Sequence, residues 1–111
     1  MFIRYGYEIT INCWDPTAVV TLLTIRSGRE ADVRVPEVFS TDPAIESTTY
    51  RDLFGNTCRR FIAPPGNLTF RSDAVIEDSG AHDVYAVDAE QHEVADLPDE
   101  CLVYLMGSRY C

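Results

Sequence analysis

Residues 3–13 constrain the fold more than any other stretch of the chain. Ile3, Tyr5, Tyr7, Ile9, Ile11 and Cys13 alternate with Arg4, Gly6, Glu8, Thr10 and Asn12. A period of two sends the first set to one face of an extended backbone and the second set to the other, the pattern of a half-buried strand. Such a strand needs a hydrogen-bonded neighbour and a second layer to cover its apolar face. WDPT (14–17) ends it, because Pro16 has no amide hydrogen to donate.

Similar runs follow. AVVTLLTIR (18–26) is rich in β-branched residues and reads as a second strand. SGRE (27–30) turns the chain, and ADVRV (31–35) alternates until Pro36 ends it or confines it to an edge. Residues 37–44 are loop-like, IESTTYRDL (45–53) reads as a strand, and TCRRFIA (57–63) runs back after a turn at Gly55-Asn56, two residues that tolerate positive φ. PPGN (64–67) is another turn. In LTFRSDAVIED (68–78), Leu68, Phe70, Ser72, Ala74 and Ile76 share a face, opposite Thr69, Arg71, Asp73, Val75 and Glu77. VYAVD (84–88) is either a short strand or an extended connection.

The last residues change period. Asp96 suits an N-cap and Pro98 the first turn, with Asp99 and Glu100 near the positive end of the helix dipole and Gly107 as a C-cap. The spacing predicts one short helix over about 97–106, with Leu102, Leu105 and Met106 on one face. Turns recurring every 8–12 residues between alternating runs point to a mainly β chain: an antiparallel β-sandwich of about seven strands with that one short C-terminal helix. Length favours a single β-rich domain over 1–111, with residues from about 96 as helix or linker.

Charge narrows the function classes. The net charge is −9, and all nine basic residues are arginine. An acidic surface repels phosphate backbones, so nucleic acid is not an expected partner. No apolar run is long enough to span a bilayer, and the N-terminus lacks a basic segment followed by an apolar one, so neither membrane nor export is expected and the cytoplasm is. The four cysteines, Cys13, Cys58, Cys101 and Cys111, allow three disulfide pairings, and reduced thiols fit that compartment.

Each possible reactive constellation has a plainer reading. YRDLFGNTCRR (50–60) holds the letters of a kinase metal-binding loop, but Leu53 separates Asp52 from Phe54, and the chain has no lysine and no HRD segment. Cys58 is the strongest nucleophile candidate, because Arg59 and Arg60 beside it favour a thiolate. A strand position next to a turn reads instead as packing. His82 and His92 read as solvated loop residues. With Asp83, Asp88 and Glu90 they offer metal-ligand chemistry, but at no motif's spacing. Asn67-Leu68-Thr69 is a sequon only in a secreted eukaryotic protein. Arg51, Arg59, Arg60 and Arg71 are placed to pair with acids across a sheet face. No catalytic, metal or cofactor site is expected from these residues.

YEITINC near the start, YRDLFGNTCRRFIAPPGNLTF in the middle, VIEDSG, and DLPDECLVYLMGSRYC at the end stand in an order that resembles the N-terminal domain of bacterial transglutaminase-like proteins, relatives of the cysteine peptidases. Residues 18–44 resemble that family only loosely. The resemblance implies a non-catalytic accessory domain that packs on or regulates a catalytic domain of the same polypeptide. The catalytic Cys-His-Asp residues are then expected beyond Cys111, and none of the four cysteines here takes the nucleophile's place. Two rivals stand beside this reading. One is a free-standing domain binding peptide or saccharide in a groove lined by Tyr5, Tyr7, Trp14 or Tyr50. The other is a small metal-dependent enzyme using His82 and His92. A homodimer through the C-terminal helix is a further possibility for the isolated chain.

Overall fold

The computed structural model describes residues 1–107, which belong to two compact units, Met1–Ala81 and His82–Cys111. The first unit is mainly β and wholly antiparallel. One sheet holds β1 (Phe2–Cys13) and β7 (Gly66–Glu77), with β3 (Val33–Val35) and β4 (Ser40–Asp42) both paired to the far side of β7. The other sheet has the order β2 (Thr17–Thr21), β6 (Thr57–Ala63), β5 (Ser47–Arg51). Neither sheet closes on itself.

β1 and β7 are the spine. They pair without a bulge from Phe2 opposite Glu77 to Cys13 opposite Gly66. Burial follows the expected period of two on both. In β7 the side chains of Leu68, Phe70, Ser72, Ala74 and Ile76 are buried, and in β1 the odd-numbered residues from Tyr5 onward are half-buried. In β6 the inward residues Phe61 and Ala63 meet Leu68 and Phe70 from the other sheet, and Tyr7, Ile9, Ile11, Val19, Phe39 and Ile45 pack around them. Phe61 and Phe70 meet edge to face at 5.4 Å, a preferred aromatic geometry. At Gly6 the two long strands run so close that a Cβ would fall 2.3 Å from the Ser72 carbonyl oxygen, so only glycine fits.

Several sequence expectations are corrected. The strand expected over 18–26 stops at Thr21, and Leu22 and Leu23 are exposed. β-branched residues fit a pleated surface, but pairing decides where a strand ends, and β2 pairs with β6 only as far as Thr21 opposite Arg59. Residues 31–35 split into a 3₁₀ turn, Glu30–Asp32, and the short β3. Arg29 holds that turn, with Nε 2.5 Å from the Asp32 carboxylate. The expected loop 37–44 contains β4, recruited by the open edge of β7. Gly66 and Asn67, expected in a turn, begin β7, where the Asn12 and Asn67 amides meet at 2.6 Å. The turn between β5 and β6 spans residues 52–56 and has one positive φ, at Gly55 (79°); Asn56 has none.

In the second unit, residues 84–88 form no strand. The expected helix over 97–106 is a 3₁₀ segment, Asp99–Leu105, preceded by a 3₁₀ turn at Val94–Asp96. Asp96 lies inside that turn and caps nothing; Pro98 precedes the segment with no side-chain capping bond. The Cys101 amide donates to the Pro98 carbonyl at 2.9 Å, a three-residue closure. A single isolated turn or two does not offset the cost of helix nucleation, and no described residue of this unit is buried to supply packing energy. The expected Gly107 cap does not form, since the backbone is already extended at Met106.

Candidate functional site

The turn between β5 and β6 answers the question posed by Asp52, Phe54, Gly55 and Cys58. Asp52 organises it from within. Its Oδ1 accepts the Phe54 and Asn56 amides at 2.9 and 2.8 Å, its Oδ2 accepts the Asn56 side-chain amide at 2.9 Å, and its carbonyl accepts the Gly55 amide at 3.1 Å. These bonds, with the Asn56 side chain foremost, hold the Asp52 carboxyl below the usual aspartate range. A carboxylate saturated by its own turn is a structural brace with no site left to hold a metal-bound phosphate.

Cys58 lies beneath that turn, 2% exposed, with Sγ 3.9 Å from both Asp52 Oδ2 and the Asn56 carbonyl, to which it donates. Its cross-strand neighbour is Tyr50, whose phenol is raised above its usual range first by a hydrogen bond to the thiol and then by burial. Of the two arginines that follow Cys58, Arg60 shares its face of β6 and Arg59 does not. Arg59 reaches the opposite face of β6, where Nη1 donates to Ser47 at 2.8 Å and the guanidinium stacks on Phe39 at 4.2 Å. A nucleophilic thiol needs a base to take its proton and a path for substrate, and Cys58 has a carboxylate brace and a closed turn.

Between the two sheets lies a second polar group that sequence reasoning missed. Glu37 Oε2, Arg59 Nε and the Tyr5 hydroxyl are all buried with no hydrogen-bond partner among the described residues. Thr24 donates to the other Glu37 oxygen at 3.5 Å. Burial first, and Glu37 second, push the Tyr5 and Tyr7 phenols above their usual range, and Arg59 partly offsets this at Tyr7. The cluster combines an acceptor, a donor and a hydroxyl, groups that can orient a polar group. The signal in the sequence was Phe39, a large aromatic in a stretch otherwise read as loop.

The third feature is the outward face of the β2–β6–β5 sheet. Register places Ala18 beside Ile62, Val20 and Thr48 on either side of Arg60, and Tyr50 beside Cys58. Val20 (52% exposed), Ile62 (56%) and Tyr50 (44%) make this face apolar around one guanidinium, and a shallow concavity of about 490 Å³ runs across it. Burial of these side chains by a partner would be favourable, at roughly 25 cal/mol per Å² of apolar surface.

The other candidates disperse. Tyr5 and Tyr7 face inward on β1, with Tyr7 edge-on to Phe70 at 6.1 Å, Tyr50 faces outward on the other sheet, and Trp14 is 93% exposed. They do not line one groove. Of the arginines expected to pair with acids across a sheet face, Arg71 does so with Glu8 at 3.6 Å, whereas Arg51 pairs at 3.3 Å with Glu30 of the 3₁₀ turn and Arg59 donates to Ser47. His82, Asp83, Asp88, Glu90 and His92 are all exposed in the second unit. Among the described residues no three His, Cys, Asp or Glu side chains converge on a common point, and no helix is long and apolar enough to cross a membrane. Cys13, Cys58 and Cys101 are free thiols; Cys111 lies outside the described residues. Compared with known protein families, curated proteins and solved structures, the chain matches none.

Proposed function

We propose that this chain is a non-catalytic accessory domain of a transglutaminase-like protein, a sandwich-like β scaffold that docks on a Cys-His-Asp catalytic domain of the same polypeptide. The observation that carries the reading is the outward face of the three-stranded sheet, where Val20, Ile62 and Tyr50 leave apolar surface around Arg60. A charged group ringed by apolar side chains suits a partner that presents a carboxylate within an apolar patch. The buried Cys58, braced by Asp52, fits a domain whose cysteines serve packing. The in-order resemblance of its segments to such N-terminal domains supplies the identity of the partner.

The test begins with the reading frame after Cys111. A cysteine at a helix start followed by a histidine and an aspartate is expected there; a stop codon directly after Cys111 overturns the reading in favour of a free-standing binding domain. Where the catalytic domain is encoded, it should bind the isolated chain in calorimetry, and Ile62→Asp should weaken that binding at least tenfold with the circular-dichroism spectrum unchanged. The isolated chain should show no amidase or transamidation activity.

A further inference from the structure

The longest open edge of the molecule belongs to β1. On one side it pairs with β7 through all twelve residues. On the other, no strand and no donor or acceptor of the first unit bonds to its backbone. Exposed edges are ordinarily blunted by proline, lysine, a bulge or brevity. The other edge strands of the first unit are three to five residues long, and β3 carries a register shift. β1 has none of these guards.

We propose that the free edge of β1 pairs antiparallel with β1 of a second copy, about a two-fold axis at Gly6, to give one continuous sheet. Charge chooses both the occupant and the register. In an antiparallel pair only alternate residues turn their amide and carbonyl groups toward the free edge, so the two-fold axis must pass through a residue position. An axis at Gly6 sets Arg4 opposite the partner's Glu8 and Glu8 opposite the partner's Arg4. On the inner face it sets Tyr5 opposite the partner's Tyr7 and Ile3 opposite the partner's Ile9. Opposite charges and aromatic pairs directly across strands are favourable. An axis at Arg4 or at Glu8 stacks like charges, and axes at Tyr5 or Tyr7 match neither charge.

The flanking residues prepare the same rows. Glu8 holds Arg71 loosely, at 3.6 Å, and so has capacity for a second guanidinium. Arg4 donates Nε and Nη2 to Asp73, at 2.9 and 2.6 Å, and keeps Nη1 for the partner. Arg71, Glu8 and the partner's Arg4 thereby alternate in sign across the seam. Gly6 at the axis brings no side chain between the strands. The interface is isologous and uses the only long edge among the described residues, so assembly stops at two copies.

Sedimentation of the full chain tests this. The expected mass is about 25 kDa, twice the 12.5 kDa chain. R4E and E8R should each sediment as the 12.5 kDa monomer, since each places like charges opposite one another. Their 1:1 mixture should return to the dimer mass, because each variant then complements the other. A monomeric wild type, variants as dimeric as wild type, or a mixture that stays monomeric overturns the proposal. Should either variant lose its β circular dichroism, hydrogen exchange of the wild type decides. Alternate amides of residues 2–13 should slow as protein concentration rises a hundredfold, and concentration-independent exchange overturns the pairing. Leu102→Ala should leave the mass unchanged, which separates this interface from one through the C-terminal segment.

Discussion

The two units of the chain are both rich in apolar residues and make opposite use of them. In the first, burial alternates along β6 and β7 until Phe61, Ala63, Leu68 and Phe70 are almost wholly enclosed. In the second, Leu102, Val103, Tyr104, Leu105 and Met106 are 42–77% exposed, and no described residue is buried. Hydrophobicity is the same in kind, so it does not decide the outcome. Pairing does. A strand acquires its backbone partners from a distant strand, as β1 does from β7, and the resulting two-dimensional surface finds a second sheet to face. The short 3₁₀ segment Asp99–Leu105 has no buried residue to add packing energy to its local turns.

The sharpest way to break this contrast is to cut into the shared core. Phe70 is 3% exposed and touches Tyr7, Phe39 and Phe61 through its ring. Phe70→Ala removes contacts from both sheets at once and leaves a cavity, at a cost of about 3–5 kcal/mol. That is a large part of the stability of a domain this small. Urea unfolding followed by circular dichroism should show the midpoint collapse. A loss under 1 kcal/mol would mean that the two sheets do not depend on each other.

How much of this was legible in the sequence follows from the same physics. The alternation of residues 3–13 and 68–78 gave both long strands and their buried faces nearly to the residue, because a period of two maps directly onto burial. TCRRFIA gave β6 to its ends. The weak points lay where pairing overrode local preference. AVVTLLTIR carries strand propensity throughout but lost its partner at Thr21, and residues 40–42, polar and next to Pro43, became a strand only because β7 offered an edge. The polar cluster of Tyr5, Glu37 and Arg59 joins three places distant in sequence that no spacing rule connects, and Phe39 was its one local sign. Cys58 was legible as a packed strand residue, but the brace that buries it depends on side-chain bonds from Asp52 that no spacing rule reports. The helix signals of residues 96–107 were local preferences, and none of these residues is buried to add packing energy to them.

A smaller effect probes the turn that joins β5 to β6. Asp52→Ala removes the acceptor for two amides and the Asn56 side chain, so Tm should fall at pH 7, by less than for Phe70→Ala. The difference should depend on pH with a definite sign. The Asp52 carboxyl titrates below its usual range in the folded chain, so the ionised form contributes stability above the unfolded value, and that contribution is lost as pH falls through the folded one. The gap in Tm between the wild type and the variant should therefore be constant near neutrality and close in acid. A gap that widened in acid would show that the neutral carboxyl is the form the turn prefers.

The smallest effect is expected in the 3₁₀ segment of the second unit. Leu102→Ala and Leu105→Ala alter side chains 42% and 52% exposed in a segment with no buried neighbour. Surface substitutions of this kind fall within about 0.5 kcal/mol. Thermal unfolding of the β signal should therefore be superimposable on the wild type for both. This near-null result has force because the same chemical change, the shortening of an apolar side chain, is costly at Phe70. If Leu105→Ala cost as much as a core truncation, the 3₁₀ segment would have to be enclosed in solution. Its apolar residues would then count as core, and the explanation for its failure to complete an α-helix would have to change from missing packing to the geometry imposed by Pro98 and the turn before it.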